Sequence, residues 1–173
     1  MFLIGHYHYF TLTKDEELMN SQKENIKEAV EYIKSHLMDF VFYENPKHCG
    51  NNKFALKVTY WKDSELLKRK NGSPEYPVAY TLAHIINLCA IRCASKLLNN
   101  DKNLNEISLK MKERISQFYD HDNHSFYIAI DSLGPVSGVS SDMLHSLFYL
   151  DKNDLSNQQL QSIITNSKQL ETR

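Results

Sequence analysis

A chain of 173 residues, 42% hydrophobic and 24% charged, is long enough for one globular core and too short to expect two. Twenty Lys and Arg stand against twenty-one Asp and Glu, a near-neutral balance that argues against a nucleic-acid or anionic-membrane partner. Cys49, Cys89 and Cys93 cannot all pair and form no CxxC element, which fits a reduced, cytoplasmic setting. The opening MFLIGHYHYF lacks a basic n-region and a small-residue cleavage site, and its histidines interrupt it well short of a bilayer span, so it reads neither as signal peptide nor as membrane helix. Its abrupt apolar and aromatic start reads instead as the end of a longer helix.

Thr13 with Glu16, and Ser21 with Glu24, match the capping-box spacing and predict two closely placed helix starts. Ile26, Ala29, Val30, Ile33 and Leu37 then recur at three and four residues, an amphipathic helix running to about Met38. From Asp39 to Arg69 the periodicity dissolves around Pro46 and Gly50 into loop or short extended pieces, and so long an irregular stretch points to function or motion. Order returns at YPVAYTLAHIINLCAIRCASKLLNN, where Pro77 fits a first helical turn and Asn99 and Asn100 end the helix after Leu98. Val78, Leu82, Ile85, Leu88, Ala90 and Ala94 spread over more than one face of that helix, so it is expected to be packed on both sides. A further helix fits Leu104 to Phe118, with Ile107, Leu109, Met111 and Ile115 inward. FYIAID, Phe126 to Asp131, alternates and meets Gly134 and Pro135, a strand entering a turn. Ser140 or Ser141 can cap a helix through Leu150, and Leu155 to Leu170 carries a last one. The expected fold is all-α: antiparallel helical hairpins with one small β-hairpin.

The stretch TYWKDSELL places an indole, an ammonium and a carboxylate on consecutive residues, Trp61, Lys62 and Asp63. Taken alone, it reads as a core aromatic beside a solvated turn, with Asp63 or Ser64 capping a short helix. A second reading makes Trp61 an apolar wall that would raise the pKa of Asp63. Lys62 would oppose that shift unless it points elsewhere. His6 and His8, with Tyr7 and Tyr9, invite a metal reading, but no carboxylate stands in register and no metal is expected. Cys89 and Cys93 share a helical face without further ligands nearby and read as small buried hydrophobes.

In order, YWKDS, the Tyr-Pro before the long apolar helix of YPVAYTLAHIINLCAIRCASKLL, and FYIAIDSLGPVSGVSSDMLHSLFYL resemble the six-hairpin glycosidases, which fold as an (α/α)6 barrel. Among these the chain is most similar to the amylo-α-1,6-glucosidase, or glycogen-debranching, group and its bacterial relatives that act on short glucosides. The likeness covers roughly Phe2 to Arg173 and implies a single partial (α/α)6 domain over 1–173, with 39–74 as the active-site loop region and 125–140 as the small β-hairpin.

Such an enzyme hydrolyses O-glycosidic bonds with two carboxyl groups, roughly 6.5–9.5 Å apart when it inverts. The resemblance implies Asp63 as the general acid and Trp61, Lys62, Tyr76, His84 and His145 as substrate contacts, with an oligosaccharide or small glucoside as ligand and neither cofactor nor metal. His145 matches the histidine of the family's helix start "tSd.lHlL"; as isolated histidines, it and His84 would be core residues. The family's general base follows an "L.TP.G.RT" loop, of which Leu170, Glu171 and Thr172 resemble the beginning. The spacing of Glu65, Asp142 and Glu171 supports none of them as a substitute. The base and the barrel's first hairpins are therefore expected from further chain or from another chain, and exposed apolar faces follow. Three readings stand: a hydrolase completed by other segments, a non-catalytic helical array that self-associates, and a helical interaction protein whose blocks match by accident.

Overall fold

The computed structural model describes residues 1–45, 75–138 and 140–170. Those residues are mostly helical, with a few small strands. Helix α1, Phe2–Thr13, ends where Lys14 turns left-handed at φ 57° and its N–H closes on the carbonyl of Phe10. Helix α2, Glu16–Ser21, is capped by Asp15, whose carboxylate accepts the N–H of Leu18, and α3, Lys23–Ser35, follows after one residue. Both predicted helices form, but Thr13 and Ser21 do not cap them. Their hydroxyls donate back to the carbonyls of Tyr9 and Leu18, which lie one turn away and are reached before the next helix's amides.

Ile26, Val30 and Ile33 line the buried face of α3. The helix stops short of Met38 because Leu37–Met38, strand β1, pairs antiparallel with Val41–Phe42, strand β2. The two residues between them, Asp39 and Phe40, have φ of 47° and 62°, the left-handed pair that a tight hairpin turn requires. Arg114 holds that turn by donating from Nε to the Asp39 carbonyl and from Nη2 to its carboxylate.

After the Tyr76–Pro77 peptide, which is cis, comes strand β3, Ala79–Tyr80, and only then helix α4, Thr81–Leu97. Helix α5, Lys102–Glu113, is capped by Asp101 and passes through a 3-10 turn at Arg114–Phe118. Strands β4, Tyr119–Asp120, and β5, Ser125–Phe126, make one hairpin; β6, Ala129–Asp131, and β7, Gly134–Val136, make a second. β6 is the middle strand of a three-stranded antiparallel sheet in the order β3-β6-β7. The long helix starts four residues later than Pro77 because Ala79 and Tyr80 pair with Ile130 and Ala129. Helix α6, Asp142–Tyr149, follows Ser141, and α7, Asn157–Ser167, opens with a full capping box between Ser156 and Gln159.

α4 carries the core. Leu82, Ile85, Leu88, Ile91 and Ala94 are buried on more than one of its faces, and it packs against α1, α3, α5 and α6. Leu109 of α5, expected to point inward, is 60% exposed. The inward stripe is Leu104, Ser108 and Met111, and a residue two positions from Met111 lies on the far side of the helix. The connection between α6 and α7 is tied down by Asp154, whose side chain is 1% exposed. Its carboxylate accepts from both terminal nitrogens of Arg92, at 2.5 and 2.8 Å, and from the N–H of Asp151 at 2.8 Å, while Lys112 approaches to 3.3 Å.

Ile85→Ala should cost about 2–5 kcal/mol in denaturant unfolding, whereas Leu109→Ala should stay within about 0.5 kcal/mol. Equal losses would contradict the burial described for the two helices. Burial pushes the Asp154 carboxyl up, but the bonds from Arg92 and from the Asp151 amide outweigh it and hold the group below the usual carboxylate range. The folded state therefore keeps Asp154 ionised more firmly than the unfolded chain does. Its contribution is present in full above the ordinary carboxylate value and disappears as the pH falls through the lower folded value. Asp154→Asn should flatten the stability profile of the protein on that acidic limb, read by urea titration at successive pH values; an unchanged profile would remove the ion pair from the account.

Candidate functional site

Three of the four sequence blocks meet at one end of α4. β3, from YPVAY, pairs with β6, from FYIAID. The N–H of Thr81, first residue of α4, donates to the carbonyl of Ile128 at 3.1 Å, and its hydroxyl donates to the carbonyl of Tyr127. The same sheet leads through β7 to α6, which opens the block SSDMLH. Glu44 and Val78 exchange backbone hydrogen bonds of 2.8 and 3.0 Å, and the N–H of Glu75 donates to the Asp131 carboxylate at 3.0 Å. The fourth block, with Trp61, Lys62 and Asp63, lies in 46–74, outside the described residues.

Tyr76 is half-buried beside the sheet, its hydroxyl 3.5 Å from that of Tyr80. Tyr80 is 1% exposed and packs with Val78, Ala129 and Val136. Burial, the Tyr76 hydroxyl and the negative charges of Glu44 and Asp131 all push its phenol above the usual range, so Tyr80 stays neutral and serves as a hydrogen-bonding group. Asp131 accepts from the N–H of Leu133 at 2.9 Å as well as from Glu75, which fixes its carboxylate across the turn of the β6–β7 hairpin.

His84 and His145 occupy the same place in their helices, the fourth residue of α4 and of α6. Their surroundings differ. His145 is exposed. His84 is 0% exposed: Nδ1 accepts the N–H of Phe42 at 3.2 Å, Nε2 donates to the carbonyl of Met111 at 3.0 Å, and the ring stacks on Phe118. Both nitrogens are spent on backbone, which defines the neutral tautomer and ties β2 and α5 to α4. Burial lowers its pKa to about 4, against the opposing Met111 carbonyl.

Asp142, the first residue of α6, is the acid that sequence reasoning set aside. It is 4% exposed, and burial pushes its carboxyl up to about 6. Its N–H donates to the Ser140 hydroxyl at 3.3 Å, and its carbonyl accepts the Ser146 hydroxyl at 2.8 Å. With Thr81, Tyr127 and Ser146 it lines a cavity of about 10 Å³, room for one water at most. A carboxyl poised near neutral pH can pass a proton, and the cavity that this one lines is far smaller than a sugar ring. An acid in the first turn of a helix is ordinarily solvated, so its sequence position carried no signal of burial.

Among the described residues no group of three or more His, Cys, Asp or Glu side chains is placed to hold a metal ion, and no helix is long and apolar enough to cross a membrane. No family model matches the chain, and a search of the curated proteins finds no match.

The burial of His84 sets a pH dependence. As the pH falls below 6.5 the unfolded imidazole takes up a proton while the folded one does not, until about pH 4. The folded state should lose roughly 3 kcal/mol over that interval. His84→Gln should lower stability at neutral pH and flatten this part of the profile; an imidazole that titrates near its ordinary value by proton NMR would overturn the assignment.

Proposed function

We propose that the chain is a glycoside hydrolase-like protein that acts on the O-glycosidic bonds of α-glucosides or related oligosaccharides by an inverting, two-carboxylate mechanism, its helical hairpins forming part of an (α/α)6 toroid. One observation carries this reading: the blocks YPVAYTLAH, FYIAID and SSDMLH, far apart in sequence, converge on one small sheet and two helix starts, and Glu44 and Val78, on either side of the segment that bears WKDS in sequence, pair with each other next to strand β3 of that sheet. Asp63 protonates the leaving oxygen, while a second carboxylate, roughly 6.5–9.5 Å away, activates water on the opposite face of the ring. Trp61 stacks on the pyranose, and Lys62, the Tyr76 hydroxyl and the His145 imidazole contact sugar hydroxyls. The reaction runs on carboxyl groups and water and calls for no cofactor.

A second reading is a non-catalytic helical array that acts by self-association. Leu144 and Phe148, one turn apart on α6, are 40% and 81% exposed, and Met1 and Phe2 at the start of α1 are 71% and 42% exposed.

Turnover of an aryl α-glucoside separates the two. Asp63→Asn removes a transferable proton and little volume, and should lower the rate by about 10²–10⁴-fold with the circular dichroism spectrum unchanged. Undiminished turnover in that variant removes Asp63 from the mechanism. A wild-type chain that sediments as an oligomer and turns over no glucoside supports the second reading.

A further inference from the structure

We infer that a polar pocket between the β4–β5 turn, the chain leaving β7 and the end of α7 binds one small neutral polyhydroxylated molecule. The pocket has a volume of about 230 Å³, below the roughly 300–1,000 Å³ of sites for drug-sized ligands, so it suits a single ring or short polyol. It shares no residue with the proposed catalytic set.

The occupant's chemistry follows from the walls. Among the described lining residues the only charge is that of Asp120, which is 3% exposed. One of its oxygens accepts the N–H groups of Asp122 and Asn123, both at 3.1 Å; the other accepts Asn123 Nδ2 at 2.7 Å and the Ser137 hydroxyl at 3.0 Å. All four lone pairs are taken, which leaves nothing for a cation. Burial pushes this carboxyl up, yet the bonds from Asn123, Ser137 and Asp122 outweigh it and keep the group ionised.

The remaining groups are neutral. Ser137 spends its proton on Asp120, and Ser125 points its proton at the Met143 sulfur, so both hydroxyls of the lining have only acceptor capacity left. Asn166 donates from Nδ2 to the carbonyls of Asn123 and His124 at 2.6 and 2.9 Å, and keeps its Oδ1. Asn123 keeps one amide proton and its oxygen; Gln169, at the rim, adds a whole amide. Acceptors in excess, with a few donors, complement hydroxyl groups, which do both. Phe126, also in the lining, adds apolar surface for C–H edges. Asn123, Ser137, Ser125 and Asn166 are held in place by these bonds before a ligand arrives, so little ordering opposes binding.

The test is a titration of the ¹⁵N-labelled protein with myo-inositol, D-glucose and methylammonium chloride, followed through the side-chain amides of Asn123, Asn166 and Gln169. Saturable shifts confined to these amides, with a millimolar Kd for at least one polyol and none for methylammonium, are expected. Gln169→Leu at the exposed rim should weaken that polyol by about tenfold, and it leaves the Asp120 network intact should Asn123→Ala fail to fold. Absence of saturation with both polyols, saturation by methylammonium alone, or an unchanged affinity in Gln169→Leu would overturn the inference. Loss of glucoside turnover in Asp63→Asn bears only on the catalytic reading, so the two can fail independently.

Discussion

A helix buried on most of its circumference must be surrounded, and α4 imposes that condition on the chain. With Leu82, Ile85, Leu88, Ile91 and Ala94 buried around it, α1, α5 and α6 each have to bring an apolar stripe to its surface. Its start is equally constrained, because a buried helix leaves amide protons that no water can satisfy. Thr81 resolves this by donating to the connection between β5 and β6, and the three-stranded sheet then continues directly into the helix. The small sheet is thus part of the cap of a buried helix, and the groups around it, from Tyr76 to Asp142, are placed by that requirement.

The helical segments were legible wherever one face repeated at three and four residues, as in Ile26, Val30 and Ile33, or where apolar positions covered the whole circumference, as in α4. Strands of two residues have no period to read, so β1 and β3 were invisible, and each shortened a helix that had been extended across it, while β2 fell in the stretch expected as loop or short extended pieces. Leu109 was misplaced by counting hydrophobic residues without following their angle round the helix. The site was less legible for the same kind of reason. A histidine in an apolar helix reads alike whether it faces a pocket or backbone, and the groups that decide for His84, Phe42 and Met111, stand 42 and 27 residues away. Asp142 is buried by elements on which its own neighbours in sequence are silent.

Three buried acids show how surroundings set chemistry. Asp154 meets a guanidinium and Asp120 a ring of amide and hydroxyl donors, and both stay ionised despite burial. Asp142, at the start of α6, is shifted upward by burial. The first two hold connections in place: the α6–α7 link and the β4–β5 turn. The proposed hydrolysis asks for a carboxyl of the third kind, dry enough to arrive protonated, and in Asp63 it assigns that task to the indole of Trp61.

The clasp between Glu44 and Val78 has a bearing on how this protein can vary. Chain entering and leaving at one paired position acts as a socket, since closing a loop costs only about 0.6 kcal/mol more for each doubling of its length. The two bonds are backbone to backbone, so the clasp constrains the spacing of the chain at these two positions and not the side chains between them.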